Sequence, residues 1–159
     1  MIVVSDTSSI SNLLMIGEIE ILRRTFKEVL IPPAVYDELG RIEKHRLFLE
    51  DSDWIMRVEL SDPTLFNQIR QTLDLGESEA IALAVEVKAD FLLIDEADGR
   101  AVAESLGINI TGLFGVLIVA KEQGYISAVR PYIEKLTEQA RFRASGRIVD
   151  TVLELAGER

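Results

Sequence analysis

Short β-branched runs alternate along this chain with longer stretches of helical periodicity, which predicts an α/β fold: one domain with a central parallel β-sheet flanked by α-helices. The runs Ile2-Val3-Val4 and Phe91-Leu92-Leu93-Ile94 are apolar throughout, as strands buried on both faces of a parallel sheet are. Asp6 and Asp95 stand just beyond those runs, at strand ends where ligands bind in open α/β sheets.

The elements follow in chain order. After the first strand, Asp6-Thr7-Ser8-Ser9 offers N-cap side chains, and Ile10, Leu13, Leu14 and Ile16 recur at helical spacing until Gly17. A second helix is expected over Glu18 to Phe26. Val29-Leu30-Ile31 reads as a strand stopped by Pro32-Pro33, and Pro33 suits the first turn of a helix carrying Val35, Glu38 and Leu39. Residues Arg41 to Asp53 are polar and charged, and Trp54 to Val58 suggests an edge strand or an extended connection. A helix from about Pro63 to Leu73 precedes Asp74-Leu75-Gly76-Glu77. The stripe of Ala80, Ile81, Leu83, Ala84 and Val87 then marks another helix, with Glu77 in its first turn. Behind the strand Phe91 to Ile94, a helix through Val102 and Leu106 ends at Gly107. Ile108 to Thr111 reads as a last short strand, with Gly112 and Gly115 loosening the turn into a helix over Val116 to Gln123. From Ser127 onward the chain reads as two helical pieces separated by the basic stretch Arg141 to Arg147.

Composition removes several function classes. At 159 residues, nearly half of them hydrophobic, the chain can bury one substantial core. With 17 basic residues against 27 acidic ones the formal charge is -10, so any contact with nucleic acid must be local. The absence of cysteine excludes disulfides and thiolate metal sites, and a single histidine excludes multi-histidine zinc sites. That residue, His45, lies among Glu43, Lys44 and Arg46 and reads as a solvated surface side chain. The amino terminus lacks a basic leader, and no apolar stretch reaches the roughly 18 residues of a membrane helix, so a cytoplasmic protein without membrane contact is expected. Phosphate-loop, dinucleotide and nucleophile-elbow motifs are missing as well.

Asp6, Glu38, Glu77 and Asp95 remain, four carboxylates at the edges of apolar segments that the fold turns toward one rim. Magnesium or manganese prefers a few carboxylates plus retained waters, leaving positions open for phosphate oxygens. Two such ions can flank a phosphodiester and stabilise the attacking and leaving oxygens of an in-line displacement. Like charges within about 4 to 6 Å raise one another's pKa values, a conflict that a cation relieves. Each acid also has a purely structural reading: Asp6 as an N-cap, Glu38 as a solvated helix acid, Glu77 as a partner of its helix dipole. Glu79 shares the last explanation.

In this order and spacing, Asp6-Thr7-Ser8, Pro33-x-Val35-x-x-Glu38-Leu39, Gly76-Glu77-x-Glu79-Ala80-Ile81 and Leu93-Ile94-Asp95-Glu96 resemble the successive motifs of PIN-domain nucleases. The likeness covers most of the chain and is greatest to compact prokaryotic PIN-like proteins of the VapC-type toxin-like and DUF3368-like kind. Gly99-Arg100 and Thr111-Gly112 resemble that subgroup too. The resemblance implies a three-layer α/β/α PIN-like fold over residues 1–159, with the helices from about residue 127 packing on it. It also implies a single-strand endoribonuclease whose Mg2+ or Mn2+ is held by Asp6, Glu38, Glu77 and Asp95, with products carrying 5′-phosphate and 3′-hydroxyl ends. Within the family the third acid is more often aspartate, so Glu77 reaches one methylene further. Ser8 resembles the residue that supports Asp6 from the first helix turn. Glu96 and Asp98 are supporting candidates, although Asp98 reads more readily as the N-cap of the following helix.

Arg100, Arg141, Arg143 and Arg147 are candidate RNA contacts. With Arg130 and Lys135, the basic residues near the carboxyl end form either a local phosphate track or ordinary solvated helix faces. Trp54, Tyr36 and Tyr125 are the aromatics available for base stacking or for the core. The family suggests a homodimer, with Leu13, Leu14 and Leu22 offering an interface, and a small antitoxin protein as partner. A catalytically silent metal-, RNA- or partner-binding protein on the same scaffold is the competing reading. A receiver-like phosphoacceptor using Lys121 is weaker, because Glu38 and Glu77 fall on helices.

Overall fold

The computed structural model describes residues 1–159. Five parallel strands, β1 (Val3–Ser5), β2 (Val29–Ile31), β3 (Ile55–Arg57), β4 (Phe91–Leu93) and β5 (Ile110–Thr111), form one sheet in the order β3-β2-β1-β4-β5. Ten helices flank it: α1 (Thr7–Met15), α2 (Glu20–Phe26), α3 (Pro33–Leu39), α4 (Glu43–Asp51), α5 (Thr64–Ile69), α6 (Leu75–Glu86), α7 (Ala97–Ser105), α8 (Leu113–Glu122), α9 (Arg130–Gln139) and α10 (Gly146–Leu155). This is the three-layer α/β architecture expected, with the sheet interior made of fully buried Val4, Ile31, Leu92 and Leu93.

The strand order matters for function. From β1 the chain adds β2 and β3 on one side, then crosses to place β4 and β5 on the other, so the order reverses between β1 and β4. Val4 pairs with Leu92 and Ser5 with Leu93, and the Asp6 N–H donates to the Leu93 carbonyl at 3.0 Å. The crevice at the carboxyl ends of β1 and β4 is therefore the topological switch point, where open α/β sheets bind ligands.

Several expectations require correction. The polar stretch Arg41 to Asp53 contains helix α4, which turns His45 and Leu49 inward four residues apart. His45 is accordingly 5% exposed rather than solvated, and burial, with Lys44 nearby, holds its imidazole below its ordinary pKa. Leu13 and Leu22 are fully buried in the core and offer no dimer face. Trp54 is also core, edge-on to Phe48. Helix α8 begins at Leu113, three residues earlier than expected, so Gly112 is its N-cap and Gly115 lies within it. Lys121 is occupied at the far end of the chain, donating to the Ala156 carbonyl at 2.6 Å and to Glu158 at 3.0 Å, which removes the receiver-like reading.

Candidate functional site

Asp6 is both cap and pocket wall. Its extended backbone ends β1 and starts α1, and the Ser9 N–H donates to its Oδ1 at 3.1 Å. Ser8 Oγ, from the first turn of the same helix, donates to Oδ2 at 3.2 Å. The carboxylate is 2% exposed, and burial, reinforced by the charge of Asp95, pushes its pKa up to about 7.

Glu38 comes from the last turn of α3, where Thr7 Oγ1 donates to its Oε2. Helix α3 is pinned by α6: the Ala34 N–H, one of the unpaired donors of its first turn, donates to Glu79 Oε1 at 2.8 Å. Glu79 thus caps a neighbouring helix instead of merely meeting its own dipole. Glu77 projects from the first turn of α6, whose N-cap is Asp74, accepting from the Glu77 N–H at 2.9 Å. Its Oε2 is buried without a hydrogen-bond partner. Burial, then Asp74, Glu96 and Asp6, push the Glu77 carboxyl up to about 8.

Asp95 lies beyond β4 and receives the Leu113 N–H at 3.3 Å on both oxygens and Ser9 Oγ at 3.5 Å. Ser9 consequently joins Asp6 to Asp95 across the switch point. Burial raises the Asp95 pKa, opposed by the Leu113 N–H and by Arg100. Arg100 donates from Nη1 to the Ile94 carbonyl at 2.8 Å, which fixes its guanidinium beside this acid.

Three of the acids rest on glycines. A Cβ at Gly76 would overlap the Glu38 carboxylate, one at Gly99 would overlap Glu77 Oε2 and Ile94, and one at Gly112 would overlap Asp95. The carboxylates occupy the space that a larger residue would fill.

Asp6, Thr7, Ser8, Glu38, Asp74, Glu77 and Glu96 rim a pocket of about 70 Å³ that contains no hydrophobic residue. Asp95 opens instead onto an adjoining groove of about 1020 Å³, which shares Ser8 and Glu96 with the pocket. Thr7 and Asp74 belong to the site and were not foreseen. The signal for Asp74 was its position three residues before Glu77, the spacing of an N-cap to the turn it caps. Asp98 is exposed in the first turn of α7 and lines neither cavity; the N-cap position there is Glu96, not Asp98. Arg141 and Arg143 line the groove, whereas Arg147 does not.

The match of the chain to known families decides its kinship: residues 2–158 match the model of DUF3368, a PIN domain. The chain belongs to the PIN-domain family. No curated protein matches it at a significant level. PIN domains are generally nucleases and typically use divalent metal ions. The donors of this PIN domain suit such an ion, being hard oxygens, and Glu77 Oε2 is a buried oxygen that no other protein group satisfies. No three acids close into a ready cage, however; Asp6, Glu38 and Glu77 rim the pocket and Asp95 lies in the adjoining groove. No helix is long and apolar enough to cross a membrane.

Proposed function

We propose that this PIN domain is a metal-dependent endoribonuclease that hydrolyses phosphodiester bonds of single-stranded RNA, with Mg2+ or Mn2+ held by Asp6, Glu38, Glu77 and Asp95. The observation that carries the proposal is the unpartnered, buried Oε2 of Glu77 in an all-polar pocket at the sheet's switch point. Unpaired buried acceptors cost about 1–3 kcal/mol each, so one retained beside Asp6, Asp74 and Glu96 serves a bound cation. When bound, the ion neutralises charge on phosphate oxygens and lowers the pKa of water to make a nucleophile.

The protein's own groups do the rest. Ser8, Ser9 and Thr7 fix the carboxylates of Asp6 and Glu38, so their orientation is set before substrate arrives. Asp95, held by Leu113 and Ser9, lines the groove beside the pocket and would hold the ion from that side. Asp6 and Glu77, with pKa values near and above neutrality, hold protons in the metal-free protein and release them as a cation enters. The resemblance adds a biological setting, the toxin of a toxin–antitoxin pair, which predicts growth arrest on expression and rescue by the adjacent gene's product.

The test is cleavage of a labelled pool of single-stranded RNAs by purified protein with manganese, magnesium or chelator, with Asp6→Asn alongside. Metal-dependent cutting lost in the variant supports the proposal. Absence of cutting while the protein still binds metal sinks it and leaves a silent metal- or RNA-binding protein on the same scaffold.

A further inference from the structure

Beside the acidic pocket lies a groove more than ten times its volume. One wall is formed by α7, β5 and the start of α8, the other by the segment Ala140–Ala144 and helix α10. Phe142 anchors the second wall, packing edge-on against Phe114 at 5.3 Å between ring centroids, while its N–H donates to the Leu136 carbonyl at 2.9 Å. On either side of this half-buried ring, Arg141 and Arg143 are exposed and make no ion pair. In a chain of net charge -10, the segment Ala140–Ala144 is a purely basic wall, two free guanidinium groups flanking an aromatic, and it faces Asp95, Glu96 and Glu104 on the opposite side of the groove.

Resting on the nuclease reading of the adjoining pocket, we propose that this groove is the subsite for an unpaired stretch of RNA next to the scissile phosphate. Arg141 and Arg143 bind its phosphates, and the apolar floor at Phe114 and Phe142 takes an unstacked base. Three observations favour a nucleic acid strand. The groove is continuous with the pocket through Ser8 and Glu96, so a strand whose phosphate reaches Asp95 runs into it without a break. Its about 1020 Å³ matches the upper range of ligand cavities, enough for a nucleotide rather than an ion. Its chemistry, guanidinium groups beside aromatic rings, is that by which proteins hold splayed single-stranded bases. Arg100 lines the same groove, but its Nη1 is engaged by the Ile94 carbonyl, so it orients the wall beside Asp95 instead of tracking the strand.

The experiment measures binding of a labelled single-stranded RNA by fluorescence anisotropy in EDTA over a range of salt concentrations, for the full chain and for Arg141→Ala/Arg143→Ala. Each phosphate contact on a single strand contributes about 0.7 to the slope of log K against log salt, so the double variant should lose about 1.4. Arg24→Ala, exposed on α2 and outside both cavities, should keep the parent slope. Phe142→Leu, which retains an apolar anchor, should weaken binding without changing the slope. An unchanged slope in the double variant, or equal competition by a duplex of the same sequence, overturns the proposal and assigns the groove to a protein segment. Binding with the expected slope but no cutting in manganese would refute the nuclease reading and keep the groove; cutting with an unaltered slope would do the reverse.

Discussion

Replacing Asp6 by asparagine should stabilise the metal-free protein at high pH, contrary to the usual effect of altering a buried capping residue. Asparagine caps helices about as well as aspartate, so the bond from the Ser9 N–H survives. What is lost is a buried charge. The Asp6 pKa is raised from 3.8 to about 7 by burial and by Asp95, and at 1.36 kcal/mol per unit the ionised form costs the folded state about 4 kcal/mol at most. Because the folded-state value lies above the unfolded one, this cost is absent below pH 3.8, grows as pH rises and is complete above pH 7. For a chain of this length about 1 kcal/mol moves the melting temperature by roughly 2–4 °C, so the variant should melt up to about 16 °C higher. Scanning calorimetry of both proteins in EDTA, well above neutrality and again near the unfolded pKa, gives the comparison; the difference should vanish at the lower pH. Added manganese should raise the melting temperature of the parent and leave the variant nearly unmoved. If the variant melts at or below the parent at high pH in EDTA, the claim that Asp6 is a strained carboxylate awaiting a cation is wrong.

Gly76→Ala should fold normally, since alanine favours helices by about 1 kcal/mol over glycine, yet its methyl displaces the Glu38 carboxylate. Weakened manganese binding by calorimetry with an unchanged melt is the expected result. Glu79→Ala should cost about 1–3 kcal/mol by leaving the Ala34 N–H unpaired and should lower metal affinity by freeing α3 from α6, while Glu79→Gln restores both; denaturant titration and metal titration read the two effects. Metal uptake at neutral pH should release on the order of one proton from Asp6 and Glu77 together, seen as a dependence of the binding heat on the ionisation enthalpy of the buffer.

Where apolar periodicity is strong, the sequence is a good guide to this molecule. Residues Val29 to Ile31 form β2 with the expected bounds, because a β-branched run closed by two prolines has few other options. Helix α4 was hidden because only His45 and Leu49 are fully buried, with Phe48 half-buried against Trp54, and a histidine among charged neighbours carries no apolar signal. The acids that follow strands were legible because strand ends in a parallel sheet share one edge. Their supports were not. Thr7 reaches Glu38 across 31 residues, and Glu79 reaches Ala34 across 45, contacts between helices whose relative placement no local pattern states.

The glycines show the same limit from the other side. Gly76, Gly99 and Gly112 read locally as turn or helix-start residues, but each lies beneath a carboxylate from a different element: Glu38 of α3, Glu77 of α6 and Asp95 after β4. Their common function is spatial, since a side chain at any one of them would push its acid from its present place. Such a set couples the fold to the site in one direction only. Losing Gly76 or Gly112 displaces a carboxylate while the hydrophobic core stays intact, although at Gly99 a side chain would also strike the buried Ile94; losing a carboxylate relieves charge repulsion and leaves the glycine unharmed. Stability and metal affinity should therefore move independently at Gly76 and Gly112, so that a variant such as Gly112→Ala keeps its melting temperature within a few degrees while Asp95 loses its bond from the Leu113 N–H. A fall in both together would mean that Gly112 serves the backbone of α8 rather than the space beneath Asp95.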